Sequence, residues 1–411
     1  MDFNDSPEEA AYRAKVRGWL EANAPKGAKG ASLGDETDDQ LDEAKAWQRK
    51  KAEAGYAQIH WPKENGGGGG TTLQSVIFAQ EEARVGASLG GPFAIGLGMC
   101  IPTVIATADE ETKKRFIGPA VRGDEIWCQL FSEPAGGSDV AGIRSRAVKD
   151  GDDWILNGQK IWTSGAHYAD YGIVLVRTDP DAVKHKGLTM FWIDMKAPGV
   201  ETKPIHQMSG SSGFNEVFFT DVRLKDSQRL GKLNDGWNVS IITLMNERMS
   251  VGNRVGEVGG GSLSLLKLAR EVIGDDGQTM LTEAALREKL ADWYVQSEGL
   301  RFTGMRALTS LSKGQMPGPE NSVAKLVMAT LAQDLANYAV EIEDQFGVIS
   351  DPSVATSKAA SQNTLLNSPG MRIAGGTDEI LRNIIAERVL GMPADIRVDK
   401  SVPFKDLPVG R

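Results

Sequence analysis

The sequence predicts an α+β protein of several domains, in which helices come first, antiparallel strands follow, and a helical bundle comes last. Helical composition dominates before residue 124 and after Trp237, whereas residues 124 to 232 hold short runs of β-branched and aromatic residues. The length of 411 residues fits two to three domains at roughly 150 residues each. We therefore predict a helical domain over 1–123, a β-domain over 124–232 and a second helical domain over 233–411.

The first domain opens with a helix-start pattern. Ser6 is a capping residue, Pro7 suits the first helical position, and two acids follow in the first turn. This pattern predicts a helix over residues 6 to 24, and "DEAKAWQRKKAEAGY" and "LQSVIFAQEEARVG" predict two more. Between those two lies "HWPKENGGGGGTT". We interpret this stretch as a connector, because its glycines are not followed by the Lys-Ser/Thr pair of a phosphate-binding P-loop.

The second domain is predicted from "WILNGQKIWTS", "YGIVLVRT", "LTMFWIDM" and "NEVFFTDVRL", whose flanking turn signals indicate antiparallel strands and hairpins. Two clusters are unusual: the loop "LFSEPAGGSDVAG" (130–142), and "IWTSG" (161–165), which follows an expected turn at Asn157-Gly158. Glycines let backbone N–H groups approach a ligand, and a Trp beside two hydroxyls can form the floor of a binding site for a planar cofactor. Plain packing explains the same residues, so both interpretations remain open here.

The third domain is predicted from long helices at about 279 to 313, 320 to 347, 353 to 368 and 377 to 391, and no internal repeat is evident. A net charge of −9 argues against nucleic-acid binding. Cys100 and Cys128 form no CxxC motif and the four histidines lack metal-ligand spacing, so we expect no metal site. The opening residues do not resemble a signal peptide and no run of about 18 apolar residues occurs, so we expect a cytoplasmic protein without membrane insertion.

Three segments, in this order and spacing, closely resemble the acyl-CoA dehydrogenases: "CQLFSEPAGGSDVAG", "LNGQKIWTSGAHYADYGIVLVR" and "IAGGTDEILRNIIAERVLG". The opening "MDFNDSPEEAAYRAKVRGWL" and "WPKENGGGGG" resemble the same family, so the likeness covers nearly the whole chain. It implies an N-terminal helical domain, a middle β-domain and a C-terminal four-helix bundle.

The resemblance also implies an activity, namely FAD-dependent α,β-dehydrogenation of an acyl-CoA thioester to the trans-2-enoyl-CoA, with an electron-transfer flavoprotein as the acceptor. Ser138 would approach the CoA portion. The flavin-binding residues that the resemblance implies are Gln129, Phe131, Ser132, Trp162, Thr163, Ser164 and Thr377.

The catalytic base departs from the commonest pattern of the family. Many members carry a Glu immediately before the Gly-Thr of the C-terminal motif, where this chain has Gly375. In isovaleryl- and long-chain-type members the base lies on the first helix of the C-terminal domain, where "LMNERMSVG" supplies Glu247, followed by Arg248 as a substrate-binding position. The resemblance thus implies Glu247 as the base and the Gly375 N–H as a donor to the thioester oxygen. The alternative is a solvated helix face, because Ser240, Thr243 and Glu247 form one polar stripe.

The adenine end of FAD shows a second departure. Homotetrameric members carry "RxxFG…Q" and "QxxGG" segments that hold the ADP moiety of a neighbouring subunit's FAD. Here Arg270 and Gly274 remain, but Ile273 replaces the Phe, and Asp344 and Val348 stand at the Gln and second Gly of the other segment. An acid close to a pyrophosphate is unfavourable. We therefore expect the Glu-bearing subunit of an α₂β₂ enzyme with a second acyl-CoA dehydrogenase-like subunit, as in bacterial members acting on steroid side chains; a homo-oligomer is the alternative.

The position of the base also bears on the substrate. A Glu on the inner helix and a glycine at 375 leave room for long, branched or polycyclic acyl groups. Competing functions on the same fold are an acyl-CoA oxidase or a flavin monooxygenase, in which reduced flavin meets oxygen. A structural subunit without its own chemistry is a further alternative.

Overall fold

The computed structural model describes residues 5–27, 34–252, 260–312, 318–319, 321–396, 399 and 401–407, apart from the side chains of residues 247–252, 260, 308, 311, 312 and 321. The chain divides into two compact units. The first unit comprises residues 1–207, 211–247 and 396–411, and the second comprises residues 208–210 and 248–395. The boundaries expected at residues 123/124 and 232/233 stay predictions.

The first unit begins with helices, as the sequence predicts. Ser6 caps the first helix: its hydroxyl accepts the Glu9 N–H, and the Glu9 carboxylate accepts the Ser6 N–H. Thr71 and Gln74 form a second capping box at a later helix, and the Asp109 carboxylate caps another by accepting the Thr112 N–H. The helices are α1 (Pro7–Asn23), α2 (Asp38–Glu53), α3 (Thr72–Arg84), α4 (Ile101–Thr107) and α5 (Glu110–Arg122).

The glycine run at 66–70 is a connector, as expected. All five of its N–H groups donate to carbonyl oxygens of residues 58 to 63, at N···O distances of 2.7 to 3.1 Å. A Cβ atom on Gly67 would collide with the backbone of Trp61. The run therefore folds back onto its own preceding turn, and none of its N–H groups is left for a phosphate.

One sheet follows the helices. Its strands are β1 (Trp127–Leu130), β2 (Arg146–Asp150), β3 (Asp153–Ser164), β4 (Tyr171–Arg177), β5 (Leu188–Asp194), β6 (Val200–Pro204), β7 (Phe214–Lys225) and β8 (Arg229–Leu230). They lie in the order β6-β7-β3-β2-β4-β5-β8, with β1 beside β4. Most neighbours are antiparallel, as predicted, but β4 pairs in parallel with β1 and, through Arg146 and Arg177, with β2.

The prediction of a turn at Asn157-Gly158 is wrong. Both residues lie inside β3, where the pairing with β7 shifts register between Leu156 and Gly158. The hairpin turn lies earlier, at residues 151–152 between β2 and β3. An Asn-Gly pair satisfies a bulge as readily as a tight turn, because both need a residue tolerant of unusual backbone angles.

The sheet has apolar side chains on both faces. On one face, Trp127, Ile173 and Met190 join a core shared with the helices. On the other, Leu156, Val174 and Phe191 form a second core. Cys100 and Cys128 are free and buried in these layers. The β-domain is therefore packed on two sides, which holds the ends of its strands in fixed positions.

The remaining helices are α6 (Gly236–Gly252), α7 (Gly260–Glu271), α8 (Ala284–Ser312), α9 (Asn321–Ile342), α10 (Ala360–Ile373) and α11 (Asp378–Ile384). α6 belongs to the first unit as far as residue 247. In the second unit, leucines of α7, α8 and α9 share one core, among them Leu268, Leu286 and Leu335. Within the described part of the chain, no helix combines the length and the hydropathy needed to cross a membrane.

Candidate active site

The end of β3 carries a strained aromatic residue. Ile161 and Trp162 together face the single residue Glu216 of β7, because the register shifts between Lys160 and Thr163. Trp162 has a φ of 59° and leaves 54% of its surface exposed. A bulky residue in this conformation is a genuine outlier, and such strain is typical of functional sites. The bulge therefore holds a large aromatic ring against solvent at the position that the sequence singled out.

The next residue, Thr163, has a buried hydroxyl group. Its side chain is 1% exposed, and its Oγ1 atom has no hydrogen-bond partner among the described residues. The Thr163 carbonyl, by contrast, accepts a 2.9 Å hydrogen bond from the fully buried Asn215 side chain. Burying a hydroxyl without a partner costs about 1–3 kcal/mol. A ligand atom that pairs with Thr163 would remove this cost.

The bulge lies beside the segment that follows β1. The Ile161 N–H donates to the Ser132 carbonyl at 2.9 Å, and the Lys160 ammonium donates to the Phe131 carbonyl at 3.0 Å. The structure thus brings together two of the groups predicted to line the flavin, 131–132 and 162–164. Gln129 lies on β1 opposite Ile173 of β4.

A buried ion pair joins the same two segments. Lys160 is 0% exposed, and its ammonium lies 2.8 Å from the Glu133 carboxylate. Glu133 also accepts the N–H groups of Arg144 and Ser145. Burial lowers the pKa of Lys160, whereas Glu133 opposes that change. Burial works to raise the pKa of Glu133, but Lys160 and the N–H donors hold it below its usual value. The Lys160 ammonium and the Glu133 carboxylate thus supply each other with a hydrogen-bond partner in a buried place.

The sequence reasoning did not single out Lys160 or Asn215. A signal was available for Lys160. Trp154, Leu156 and Lys160 alternate along β3 as inward-facing, buried positions. A lysine at an inward position of a strand requires an anionic partner, and the nearby Ser-Glu-Pro corner contains one. Asn215 offers no comparable signal, because its partner depends on pairing between β3 and β7.

Ser138 lies in the loop after β1, where it is exposed. A tight turn closes the start of this loop, with Glu133 and Gly136 exchanging backbone hydrogen bonds at 3.0 and 2.9 Å. Farther along, the Asp139 carboxylate pairs with Lys184 at 2.7 Å, and the Ala141 carbonyl accepts a 2.6 Å hydrogen bond from Arg177. The loop is therefore held at both ends while Ser138 faces solvent.

Helix α6 carries the polar stripe that the sequence revealed. Ser240 and Thr243 are fully buried, and the Thr243 hydroxyl lies 2.9 Å from that of Thr103 on α4. The solvated-face alternative is therefore wrong for these two residues. The side chains of Glu247 and Arg248 lie outside the described residues, so their assigned roles stay predictions.

The other predicted residues lie in the second unit. Gly375 and Gly376 have φ angles of 63° and 92°, and Thr377 caps α11 by accepting the Ile380 N–H. The Gly376 carbonyl accepts a 2.7 Å hydrogen bond from Lys325. This glycine pair brings the chain into α11 through a conformation that disfavours other residues. Arg270 lies on a separate element, at the exposed end of α7.

Three acyl-CoA dehydrogenase family models match the chain: the N-terminal domain over residues 6–124, the middle domain over 128–222 and the C-terminal domain over 234–390. Acyl-CoA dehydrogenase IpdE1 of Mycobacterium tuberculosis is 35% identical over 407 residues, which cover 94% of this chain and 98% of the relative. The chain belongs to the acyl-CoA dehydrogenase family. Acyl-CoA dehydrogenase FadE34 of the same organism is 36% identical over 342 residues, covering 83% of this chain but only 45% of that longer relative.

Solved structures of this family have the same fold. The ChsE4-ChsE5 complex from Mycobacterium tuberculosis matches with a TM-score of 0.78 and 26% identity, covering 96% of this chain and 100% of that one. The Tcur3481-Tcur3483 steroid ACAD matches with a TM-score of 0.79 and 25% identity at the same coverage. The fold class predicted from the sequence is thus confirmed.

Acyl-CoA dehydrogenases are FAD-dependent oxidoreductases, and this chain is one of them. The geometry at the end of β3 fits the cofactor. Trp162 offers an exposed aromatic face, and Thr163 offers a buried hydroxyl that the described residues leave unpaired. A planar ring with polar edge atoms can use both groups at once. The assignment of the individual flavin-binding residues stays a prediction.

Proposed function

We propose that this acyl-CoA dehydrogenase oxidises a long, branched or polycyclic acyl-CoA between its α- and β-carbons, with Glu247 as the catalytic base. The observation that carries the flavin assignment is the buried Thr163 hydroxyl, which has no partner among the described residues, beside the exposed Trp162. A polycyclic acyl group is supported by the steroid enzyme named in one similar structure. The absence of a side chain at Gly375 leaves space for such a group.

The residues of the chain have distinct roles in this proposal. Glu247 removes the α-proton, and the Gly375 N–H donates a hydrogen bond to the thioester oxygen, which makes that proton more acidic. FAD, when bound, accepts the hydride that leaves the β-carbon. Ser240 and Thr243, which precede Glu247 by seven and four residues, are buried, which supports an inward-facing stripe.

The first test is Glu247→Gln. The variant is expected to keep its yellow flavin and to lose turnover by several orders of magnitude, because general-base catalysis contributes about 10²–10⁴-fold and Gly375 has no carboxylate of its own. The measurement is anaerobic flavin bleaching after mixing with acyl-CoA. Glu271→Gln, on the exposed end of α7, is the matched control and should bleach like the wild type. Wild-type bleaching by Glu247→Gln would remove this residue from the mechanism.

We further propose that the chain works as the Glu-bearing subunit of an α₂β₂ enzyme. Near Gly274, an open cavity of about 310 Å³ is lined by Asp275, Asp276 and Glu283, which would repel a pyrophosphate. Val348, at the place of the second glycine of "QxxGG", is 85% exposed. The two similar structures each name two different proteins, which supports a heteromeric arrangement.

Native mass spectrometry tests this arrangement. The chain co-expressed with a second acyl-CoA dehydrogenase-like subunit should give a heterotetramer with fewer FAD molecules than polypeptides. The chain purified alone should hold little FAD. A homotetramer of this chain with one tightly bound FAD per subunit would contradict the proposal. Asp344→Asn should strengthen FAD binding only if the chain forms that homotetramer.

An electron-transfer flavoprotein is the proposed acceptor. Dehydrogenation requires that reduced flavin be shielded from oxygen while substrate is bound, whereas an oxidase forms peroxide. Aerobic turnover with acyl-CoA should therefore yield little peroxide, and added electron-transfer flavoprotein should raise the rate. Stoichiometric peroxide would instead favour the acyl-CoA oxidase.

A further inference from the structure

The described residues from 401 to 407, which we name the tail segment, lie against the connection between β4 and β5. The Phe404 N–H donates to the Ala182 carbonyl at 2.9 Å, and the Lys405 N–H donates to the Pro180 carbonyl at 3.0 Å. Pro403 forms an isolated bridge with Val183. The tail segment thus adds a short backbone ladder to the first unit, although about 150 residues of the second unit precede it in the chain.

Phe404 is the buried anchor of the tail segment. It is 7% exposed, and the Arg177 guanidinium carbon lies 3.7 Å from its ring centroid. The Arg144 guanidinium carbon lies 5.4 Å from the same centroid. An aromatic ring this close to a guanidinium shields it from water and attracts it electrostatically. Phe404 therefore covers the guanidinium of Arg177, which is itself buried.

Arg177 connects the tail segment to the loop that carries Ser138. One of its terminal nitrogens donates to the Ala141 carbonyl, and the other donates to the Lys184 carbonyl, both at 2.6 Å. Because a guanidinium is planar, both hydrogen bonds and the ring contact with Phe404 fix one orientation. Without Phe404, the two carbonyl contacts alone would hold the guanidinium.

Lys184 forms a second connection. Its ammonium lies 2.7 Å from the Asp139 carboxylate and 2.6 Å from the Asp399 carboxylate, and Lys184 itself is buried. Asp139 directly follows Ser138, and Asp399 precedes the tail segment by two residues. One buried cation is thus shared between the loop and the chain that leads into the tail segment.

We propose that Phe404 and Asp399 are positioning residues for the loop of residues 132–142, which we name the substrate loop: through Arg177 and Lys184 they hold Ala141 and Asp139, and so set the place of Ser138. The proposal rests on the assignment of this loop to the CoA portion of the substrate. Ser138 and Gly137 are exposed, and the turn between Glu133 and Gly136 holds the start of the substrate loop, so its second half depends on these two attachments for its order.

The test compares Phe404→Ala with Lys405→Ala in the full chain, co-expressed with its partner subunit if it has one. Lys405 lies on the same segment, but its ion pair with Asp181 is exposed and does not involve the substrate loop. Phe404→Ala should raise the KM for acyl-CoA about tenfold and change kcat by less than about threefold, because uniform binding is lost but the chemical step is kept. Its FAD content should equal that of the wild type, and Lys405→Ala should match the wild type throughout.

Amide hydrogen exchange supplies a readout that needs no substrate. In Phe404→Ala, peptides covering residues 133–145 should exchange faster than in the wild type, while peptides from β6 and β7 should be unchanged. Unchanged exchange in the substrate loop would overturn the proposal, and so would faster exchange with an unaltered KM. If wild-type enzyme oxidises none of the acyl-CoAs tried, the proposed function fails, whereas the exchange result still decides whether the tail segment orders the loop.

A second variant covers the case in which Phe404→Ala does not fold. Phe404→Leu keeps an apolar side chain in the same place but removes the aromatic face over Arg177. Phe404→Leu should show a smaller rise in KM and a smaller increase in amide exchange than Phe404→Ala. Phe404→Tyr should keep the wild-type KM and the wild-type exchange. Wild-type behaviour of Phe404→Leu would overturn the role of the ring.

Discussion

Trp162 is held at a φ of 59°, a conformation that costs an ordinary L-residue about 1–2 kcal/mol. The sequence allowed two interpretations of this residue, plain packing or a cofactor floor. The backbone angle and the exposed ring favour the second. Neither the backbone angle nor the exposure of the ring could be predicted from the sequence, because the bulge arises only when β3 pairs with β7, about 50 residues later in the chain.

A pair of substitutions separates the strain at Trp162 from the contribution of its ring. Trp162→Gly should be more stable than Trp162→Ala by about 1 kcal/mol, because glycine adopts positive φ without steric cost. Both variants should bind FAD more weakly than the wild type, since both lose the aromatic face. Urea denaturation gives the stabilities, and a flavin-fluorescence titration gives the affinities. Equal stability of the two variants would show that the backbone relaxes without cost.

The buried charges of the β-domain mark the limit of residue-level prediction. Glu133 lies within a motif that the sequence brought forward, yet its partner Lys160 was not recognised. Motif reasoning places residues along the chain, whereas an ion pair requires knowing which strand ends meet. Only the inward-facing position of Lys160 on β3 carried that information.

Helices with local start signals were predictable, and strands with distant partners were less so. The capping box at Ser6 lies within four residues of sequence, so α1 follows from local chemistry. The parallel pairing of β1 with β4 joins residues about 40 positions apart and has no local signature. Antiparallel neighbours such as β4 and β5 follow more readily, because a short connection brings them together.

α10 also departs from local rules. It was expected to end before Pro369, but it continues to Ile373. Pro369 has no N–H to give to the Leu365 carbonyl, and the fully buried Ser368 donates its hydroxyl to that carbonyl at 2.9 Å instead. The hydroxyl replaces the missing backbone hydrogen bond, so the helix persists.

Ser368→Ala tests this compensation. We expect it to destabilise the protein by about 1–2 kcal/mol, because the Leu365 carbonyl loses the donor that stands in for the Pro369 N–H. Thr364→Ala, on the same helix, removes an exposed hydroxyl that bonds the Ala360 carbonyl at 2.8 Å and should have no measurable cost. Thermal unfolding of both variants is the measurement. Equal melting temperatures of the two variants would contradict the role given to Ser368.

At the scale of the whole molecule, an ionic cluster ties α1 to α3. Glu81 accepts hydrogen bonds from Arg17, Arg84 and Arg13, and its carboxylate is largely buried. The hydrogen bond from Arg17 is the largest cause that lowers the pKa of Glu81, to about 2. Three arginines thus concentrate positive charge around one carboxylate, in a chain whose net charge is −9.

The lowered pKa of Glu81 gives a pH dependence of stability. Its contribution is fully present above the unfolded pKa of about 4.5 and is lost as pH falls towards about 2, because the unfolded chain binds the proton first. The melting temperature of Glu81→Gln should therefore lie below that of the wild type at pH 6, and the difference should shrink as the pH falls below about 4.5. Glu110→Gln, which alters an exposed pair with Lys113, should show no such trend. A difference that grows in acid would contradict this account.

The docking of the tail segment onto the first unit has a consequence for biosynthesis. Residue 247 is the last residue of the first unit before the chain enters the second unit. Residue 404 is synthesised 157 positions later. At about 5–20 residues per second, this delay is about 8 to 31 seconds. During that interval the nascent β-domain carries Arg177 uncovered and Lys184 without Asp399. A ribosome stalled late in the second unit should therefore display a domain whose strands are paired but whose Ser138 loop is open to proteases, and release of the finished polypeptide should close it.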